Sequence, residues 1–173
     1  MPLFELRVKA ALEGAAWAAL GDGYALRVKF ACTACREPSD RFSVFGWDDA
    51  AEVPGGKGAA HLVQACRHCK APCSVSIVSK RGDARYTAAD AEAGRAVAVA
   101  TLECRGAVPA EAQCGPGWVV AGPSGETWGD VSLDDEFSEY DEAAGVSVTV
   151  LDAAMSVGPA GGSSGGGGGG GRR

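Results

Sequence analysis

Apolar and polar residues alternate with a period of two along much of the chain. Leu6, Val8, Ala10 and Leu12 are separated by charged or small residues. Tyr24, Leu26, Val28 and Phe30 share one side of a run whose other side carries Arg27 and Lys29, and Val75 and Ile77 alternate with serines. Successive side chains of a strand leave opposite faces, so this is the signature of strands buried on one face. The signal returns at Val97 and Val99, at Trp118 to Val120, and at Val146, Val148 and Val150. Turn residues punctuate the runs at Gly21-Asp22-Gly23, Pro54-Gly55-Gly56 and Gly115-Pro116-Gly117. No long segment carries a 3.6-residue period. The many alanines lie within strand-like runs and read as small filler rather than as helix formers. The pattern predicts an all-β protein, a β-sandwich.

A faint echo runs through the chain. Val8-Lys9-Ala10-Ala11-Leu12-Glu13-Gly14 resembles Val99-Ala100-Thr101-Leu102-Glu103-Cys104-Arg105-Gly106 with one residue inserted. Each opens a stretch of similar length, which predicts two similar halves, about 1–80 and 95–157, packed on each other within a single domain, 1–157. Asp134 to Glu142 holds six acids around Phe137 and Tyr140 and reads as an exposed loop or single turn rather than a strand. Residues 158–173 hold ten of the 26 glycines and no large apolar residue, the composition of a disordered tail.

Hydrophobic residues make up 46% of the sequence and charged residues 22%, which excludes wholesale disorder. No run approaches the roughly 18 apolar residues of a membrane-spanning helix. The net charge of −6 is unevenly spread: residues 1–105 carry 14 Lys and Arg against 12 Asp and Glu, whereas residues 106–171 carry ten acids and no base. Such a surface repels a phosphate backbone and accommodates a basic partner, so nucleic-acid binding is not expected. The alanine-rich start does not read as a secretory leader, because Glu5 and Glu13 interrupt it and its apolar residues alternate. Seven cysteines, an odd number, fit a reducing compartment and paired metal ligands better than a secreted disulfide framework. The expectation is an unprocessed, cytoplasmic, monomeric protein.

The strongest chemical signal is a pair of C-x-x-C knuckles, Cys32-Thr33-Ala34-Cys35 and Cys66-Arg67-His68-Cys69, separated by 30 residues. Each turn aims two sulfurs at one centre about 2.3 Å away, and two turns complete the tetrahedron that Zn²⁺ accepts from four thiolates. A redox dithiol normally occurs once and beside a βαβ pattern, which is absent here, so zinc is favoured over redox or iron–sulfur chemistry. Arg36, Arg67 and Lys70 stand beside the ligands, either to offset the formal −2 charge of a four-thiolate site or as merely solvated bases. His61 and His68 are weak alternatives as ligands, because four thiolates already fill the shell. Cys73, Cys104 and Cys114 read as small buried apolar residues, with a spare ligand or exchange nucleophile the second reading of Cys73. Gly55-Gly56-Lys57-Gly58 lacks the spacing and ending of a phosphate loop and reads as a turn.

With these residues in place, the chain resembles the eukaryotic CXXC-motif-containing zinc-binding proteins. The resemblance runs through Leu6, Val8, Ala10, Leu12 and Glu13; Cys32 to Cys35 with Glu37, Ser39 and Asp40; Gly55 to Ala59; Val63-Gln64 and Cys66 to Cys69; Tyr86, Ala88 and Asp90; Glu103 to Gly106; and Tyr140-Asp141-Glu142. It implies a β-sandwich of two related halves with one zinc near one end, held by Cys32, Cys35, Cys66 and Cys69. It also implies an interaction protein without established enzymatic activity, with a copper chaperone for superoxide dismutase among the suggested partners. Cys114 and the Gly-rich tail have no counterpart in that pattern.

The functional expectation is a non-catalytic module with a structural four-cysteine zinc. Its candidate docking surface is the acidic stretch Asp134, Asp135, Glu136, Glu139, Asp141 and Glu142, for which ordinary solvation is the competing reading. The alternative is metal handling or redox sensing, with zinc or copper exchanged with a partner. An enzyme is not expected, because a catalytic zinc needs an open coordination position.

Overall fold

The computed structural model describes residues 2–56, 58–80 and 84–161. The alternating runs become strands. In the first part of the chain these are β1 (Leu3–Glu13), β2 (Trp17–Leu20), β3 (Leu26–Cys32), β4 (Ser43–Phe45), β5 (Ala51–Glu52), β6 (Ala59–Ala60), β7 (Leu62–Ala65) and β8 (Pro72–Ile77). A connection through β9 (Arg85–Thr87) and the one-turn helix α1 (Ala88–Glu92) leads to the rest. There follow β10 (Val97–Arg105), β11 (Ala107–Gln113), β12 (Trp118–Ala121), β13 (Thr127–Val131), β14 (Phe137–Asp141) and β15 (Val146–Pro159). The alternation in β3 is complete: Leu26, Val28, Phe30 and Cys32 are buried while the residues between them are half-exposed. Thr87 and Asp90 cap α1 reciprocally, each accepting a backbone N–H of the other's end of the turn, which is why a helical turn forms among these alanines.

One layer of the sandwich is a six-stranded antiparallel sheet in the order β14-β15-β1-β10-β8-β7. The other layer is split into β11-β3-β4 and β13-β12-β2-β9. The order is palindromic about the β1–β10 pair: β15 stands to β1 as β8 stands to β10, and β14 to β15 as β7 to β8. The second layer repeats the relation, with β11-β3-β4 matching β2-β12-β13. Two similar halves thus face each other across a pseudo-two-fold axis. Each contributes a strand to the other, since β2 pairs with β12 and β11 with β3.

Apolar faces of both layers merge in one core. Leu6, Val8, Val75, Leu102 and Val148 come from the six-stranded sheet and Leu26, Val28, Trp118 and Val120 from the opposite layer. Trp118 is fully buried, meets Tyr24 edge-on at 5.4 Å, and donates its indole N–H to the Cys114 carbonyl at 3.0 Å. The Tyr24 hydroxyl donates to the same carbonyl, and burial raises its pKa. The sequence echo acquires a physical meaning here. Gly14 and Gly106 each follow the first strand of their half with positive φ, +73° and +79°, and a side chain there would run into the backbone carbonyl of Ser147 or Pro72.

Three expectations change. Asp134 to Glu142 is not wholly a loop, because Phe137–Asp141 pairs along β15 as an edge strand. A single helical turn exists where only strands were expected. β15 continues through Pro159, and Ala160 donates to the Leu3 carbonyl at 2.9 Å, so the first residues of the expected tail are part of the sheet; residues 162–173 lie outside the described residues. Among the described residues no helix is long and apolar enough to cross a membrane.

Candidate metal centre

The two knuckles are built alike. Cys32 ends β3, its carbonyl accepts the N–H of Arg36 at 2.9 Å, and its own N–H reaches the Glu37 carbonyl at 3.0 Å. Cys66 follows β7, its carbonyl accepts the N–H of Lys70 at 2.9 Å, and its N–H reaches the Ala71 carbonyl at 2.9 Å. Arg36 and Lys70 both take positive φ, 65° and 64°, which reverses the chain directly after the second cysteine of each pair.

These turns bring the four sulfurs of Cys32, Cys35, Cys66 and Cys69 within 4.8 Å of one another. Two pairs meet across the knuckles, Cys32 with Cys69 and Cys35 with Cys66, each at 3.6 Å. That is far beyond the roughly 2.05 Å of a disulfide. It matches the edge of a tetrahedron of zinc–sulfur bonds, which at about 2.3 Å per bond is about 3.8 Å. The donor set therefore fits Zn²⁺. Bound there, zinc would join β3 of one layer to the β7–β8 turn of the other and close that end of the sandwich.

Backbone donors prepare the sulfurs. N–H groups of Cys35 and Ala34 lower the Cys32 pKa, and those of Cys69 and His68 lower that of Cys66 to about 6. Cys35 accepts from the Glu37 N–H, but burial and the neighbouring sulfurs outweigh this and push it up to about 12. Thiolates so close together cannot all ionise unaided, and a divalent cation supplies the charge that lets them. Two of the flanking bases have other partners. Arg67 pairs with Asp40 at 3.7 Å and the Lys70 ammonium donates to the Arg67 carbonyl at 3.2 Å.

The remaining candidates are not among the clustered sulfurs. The His61 Nδ1 accepts the Ile77 N–H at 2.9 Å, a structural contact. His68 stands outside the sulfur cluster. Cys104 and Cys114 are buried, and desolvation pushes both thiols up to about 12; Cys73 is half-buried, and desolvation raises it as well. Gly55 and Gly56 lie in the turn between β5 and β6; Lys57 is outside the described residues.

A model of the family described as CXXC motif containing zinc binding protein, eukaryotic, matches residues 5–157. The chain belongs to this family. The family's bovine member is 30% identical over 155 residues, covering 88% of this chain and 95% of its own. The human protein of the same description is 31% identical over 150 residues, 85% of this chain and 92% of its own. The crystal structure of C1orf123 superposes with a TM-score of 0.80 at 28% identity, covering 91% of this chain and 99% of that one. A hypothetical protein from Plasmodium falciparum gives the same TM-score at 19% identity, a likeness of fold. Zinc binding is the family's property, and the four-sulfur cluster is where this chain can perform it.

Sequence reasoning counted Asp141 among the exposed docking acids and missed its buried role. At the opposite end of the six-stranded sheet, Asp141 takes the place that Cys66 takes at the knuckle end: Asp141 ends its edge strand and Cys66 directly follows its own, and the Gly145 N–H reaches the Asp141 carbonyl at 2.7 Å as Lys70 reaches Cys66. Gly122, whose N–H reaches the Glu126 carbonyl at 2.8 Å, likewise matches Cys32. The buried Asp141 carboxylate accepts from the Ser124 hydroxyl at 2.7 Å, the Ser124 N–H at 3.0 Å and the Ala144 N–H at 3.1 Å. These donors, the Ser124 hydroxyl first, lower its pKa. The signal was a single acid spaced four residues before a glycine, lost among five other acids.

Proposed function

We propose that the protein is a non-catalytic, monomeric zinc module of the cytoplasm. One structural Zn²⁺ per chain shapes a surface for a protein partner. The observation that supports this is the cluster of four sulfurs from two matched knuckles, because four thiolates would complete a zinc tetrahedron without the open position or the histidine or carboxylate that catalytic zinc sites use. Asp134, Asp135, Glu136, Glu139 and Glu142 remain exposed and offer charge to a basic partner, although Asp134 also accepts the Gly115 N–H at 2.9 Å, whereas Asp141 is buried. Native mass spectrometry before and after a mild chelator, with circular dichroism alongside, tests the structural role. One retained zinc per chain is expected.

Metal exchange is the second reading, supported by the exposure of Cys69 at the rim of the cluster. Release of zinc with the fold intact, or copper in the purified chain, would replace the structural reading with this one. Capture on zinc-loaded protein against Cys66→Ser tests the interaction reading, with a copper chaperone for superoxide dismutase as the first partner to try. Equal capture on both forms would remove zinc from the interface.

A further inference from the structure

The proposal that follows rests on the reading of the protein as an interaction module and specifies where a partner engages and by what chemistry. In the second half, Trp128 of β13 packs obliquely on Phe137 of β14 with ring centroids 6.0 Å apart, filling the space between the two layers at their edge. Backbone pairing identifies the counterparts. Val120 pairs with Trp128 and Ala121 with Thr127; in the first half the Phe30 carbonyl accepts the Ser39 N–H at 2.8 Å, and Ala31 bridges Pro38. Phe137 precedes Asp141 by the same four residues that separate Leu62 from Cys66. Ser39 and Leu62 therefore stand where Trp128 and Phe137 stand in the other half.

Between Ser39 and Leu62 is a cavity of about 410 Å³. Phe30, Phe42 and Val44 supply apolar wall, and Val44 is 57% exposed. Two polar ties cross the cavity from wall to wall: the Ser43 hydroxyl donates to Gln64 Oε1 at 2.9 Å, and Asp40 meets Arg67 at 3.7 Å. The volume falls within the roughly 300–1,000 Å³ of ordinary ligand pockets. Rim charges of both signs, Glu37 and Asp40 against Arg41 and Arg67, select no ionic ligand.

The geometry points to a recognition pocket for one aromatic side chain, an indole above all, presented by an extended segment of a partner protein beside the zinc knuckles. It occupies in trans the place that Trp128 occupies within the second half. An aromatic ring fits walls that already carry two phenyl rings, and Gln64 or Ser43 can accept the N–H that a buried indole must place. The extended segment follows from the strands that flank the pocket. β4 and β7 are the outer strands of their sheets, and each has a backbone edge to which another strand can add.

The test is an amide NMR titration of the zinc-loaded full chain with N-acetyltryptophanamide, with N-acetylalaninamide as control. Saturable shifts at Ser39, Phe42, Val44 and Leu62 are expected with the tryptophan compound alone, with Kd on the order of 1 mM. An extended peptide with a single central tryptophan should bind at least roughly tenfold tighter; a peptide no tighter than the free amide would overturn the segment as the source. Ser39→Trp should fill the pocket from within, raise the melting temperature and abolish the shifts. Should that variant not fold, Leu62→Trp makes the same prediction from the opposite wall. No saturable shift, or an unchanged titration in a folded filled variant, refutes the pocket. A silent pocket with capture intact removes this proposal alone, whereas indole binding with no partner captured on either form removes the interaction reading.

Discussion

At one end of the six-stranded sheet, the turn after β3 and the turn between β7 and β8 meet through four sulfurs. At the other, the turn after β12 and the turn between β14 and β15 meet through the Asp141 carboxylate and its donors from Ser124 and Ala144. The frame is shared, down to the paired backbone contacts of Cys66 with Lys70 and Asp141 with Gly145. The difference lies in what holds the turns together. Hydrogen bonds to a carboxylate form from the chain's own groups, whereas four thiolates need a cation to coexist. On the proposed reading, one fold carries one self-sufficient end and one whose order depends on metal.

The largest expected effect breaks the metal end alone. Cys32→Ser or Cys66→Ser should cost on the order of 4 kcal/mol, read by thermal melting. In hydrogen exchange, amides of both knuckles should open while those of Ser124 and Ala144 stay protected. Simultaneous opening of both ends would show that the ends do not differ in this way.

A second experiment tests the shared frame. Gly14→Ala and Gly106→Ala should each destabilise by about 2 kcal/mol or more, because both force a side chain into positive φ and against a carbonyl. Denaturant midpoints that differ widely between the two would count against their equivalence.

Acid sharpens the contrast from the other side. The Asp141 pKa is lowered in the fold, so its contribution is complete above the ordinary aspartate value of about 3.9 and disappears as pH falls through the lower native value. The protection factor of the Ser124 amide, its exchange relative to the intrinsic rate at each pH, should therefore fall at low pH, and Asp141→Asn should flatten that dependence while lowering the melting temperature by a few degrees. A Ser124 profile unchanged by the substitution would mean that the carboxylate does not hold these turns. The smallest effect is expected at Cys114→Ala, about 1 kcal/mol in denaturant titration with zinc content unchanged; a loss of zinc would tie this distant buried thiol to the centre.

Strand positions were legible because a half-buried strand writes its periodicity directly into side-chain type, as β3 does from Leu26 to Cys32. The clustering of the four sulfurs was legible for a related reason: C-x-x-C spacing is a local geometric requirement. The strand Phe137–Asp141 was hidden because an edge strand needs few apolar residues, and its charges match those of a loop. Asp141 was hidden for a different reason. Its partner Ser124 lies 17 residues away, and no local pattern distinguishes an acid that accepts buried donors from its solvated neighbours. The open pocket between Ser39 and Leu62 was invisible for the same reason, since a missing ring shows only beside the copy that has one.

The pairing of β1 with β15 has a mechanical consequence. Phe4 lies opposite Pro159, and Ala160 bonds Leu3, so the chain enters and leaves the sheet side by side at the knuckle end. Tension applied between the two ends would load the ladder one rung at a time, starting beside Leu3, instead of sharing the load across all rungs as sheared strands do. Towed by its ends, this sandwich should open like a zipper at low force, from the edge nearest the sulfurs inward.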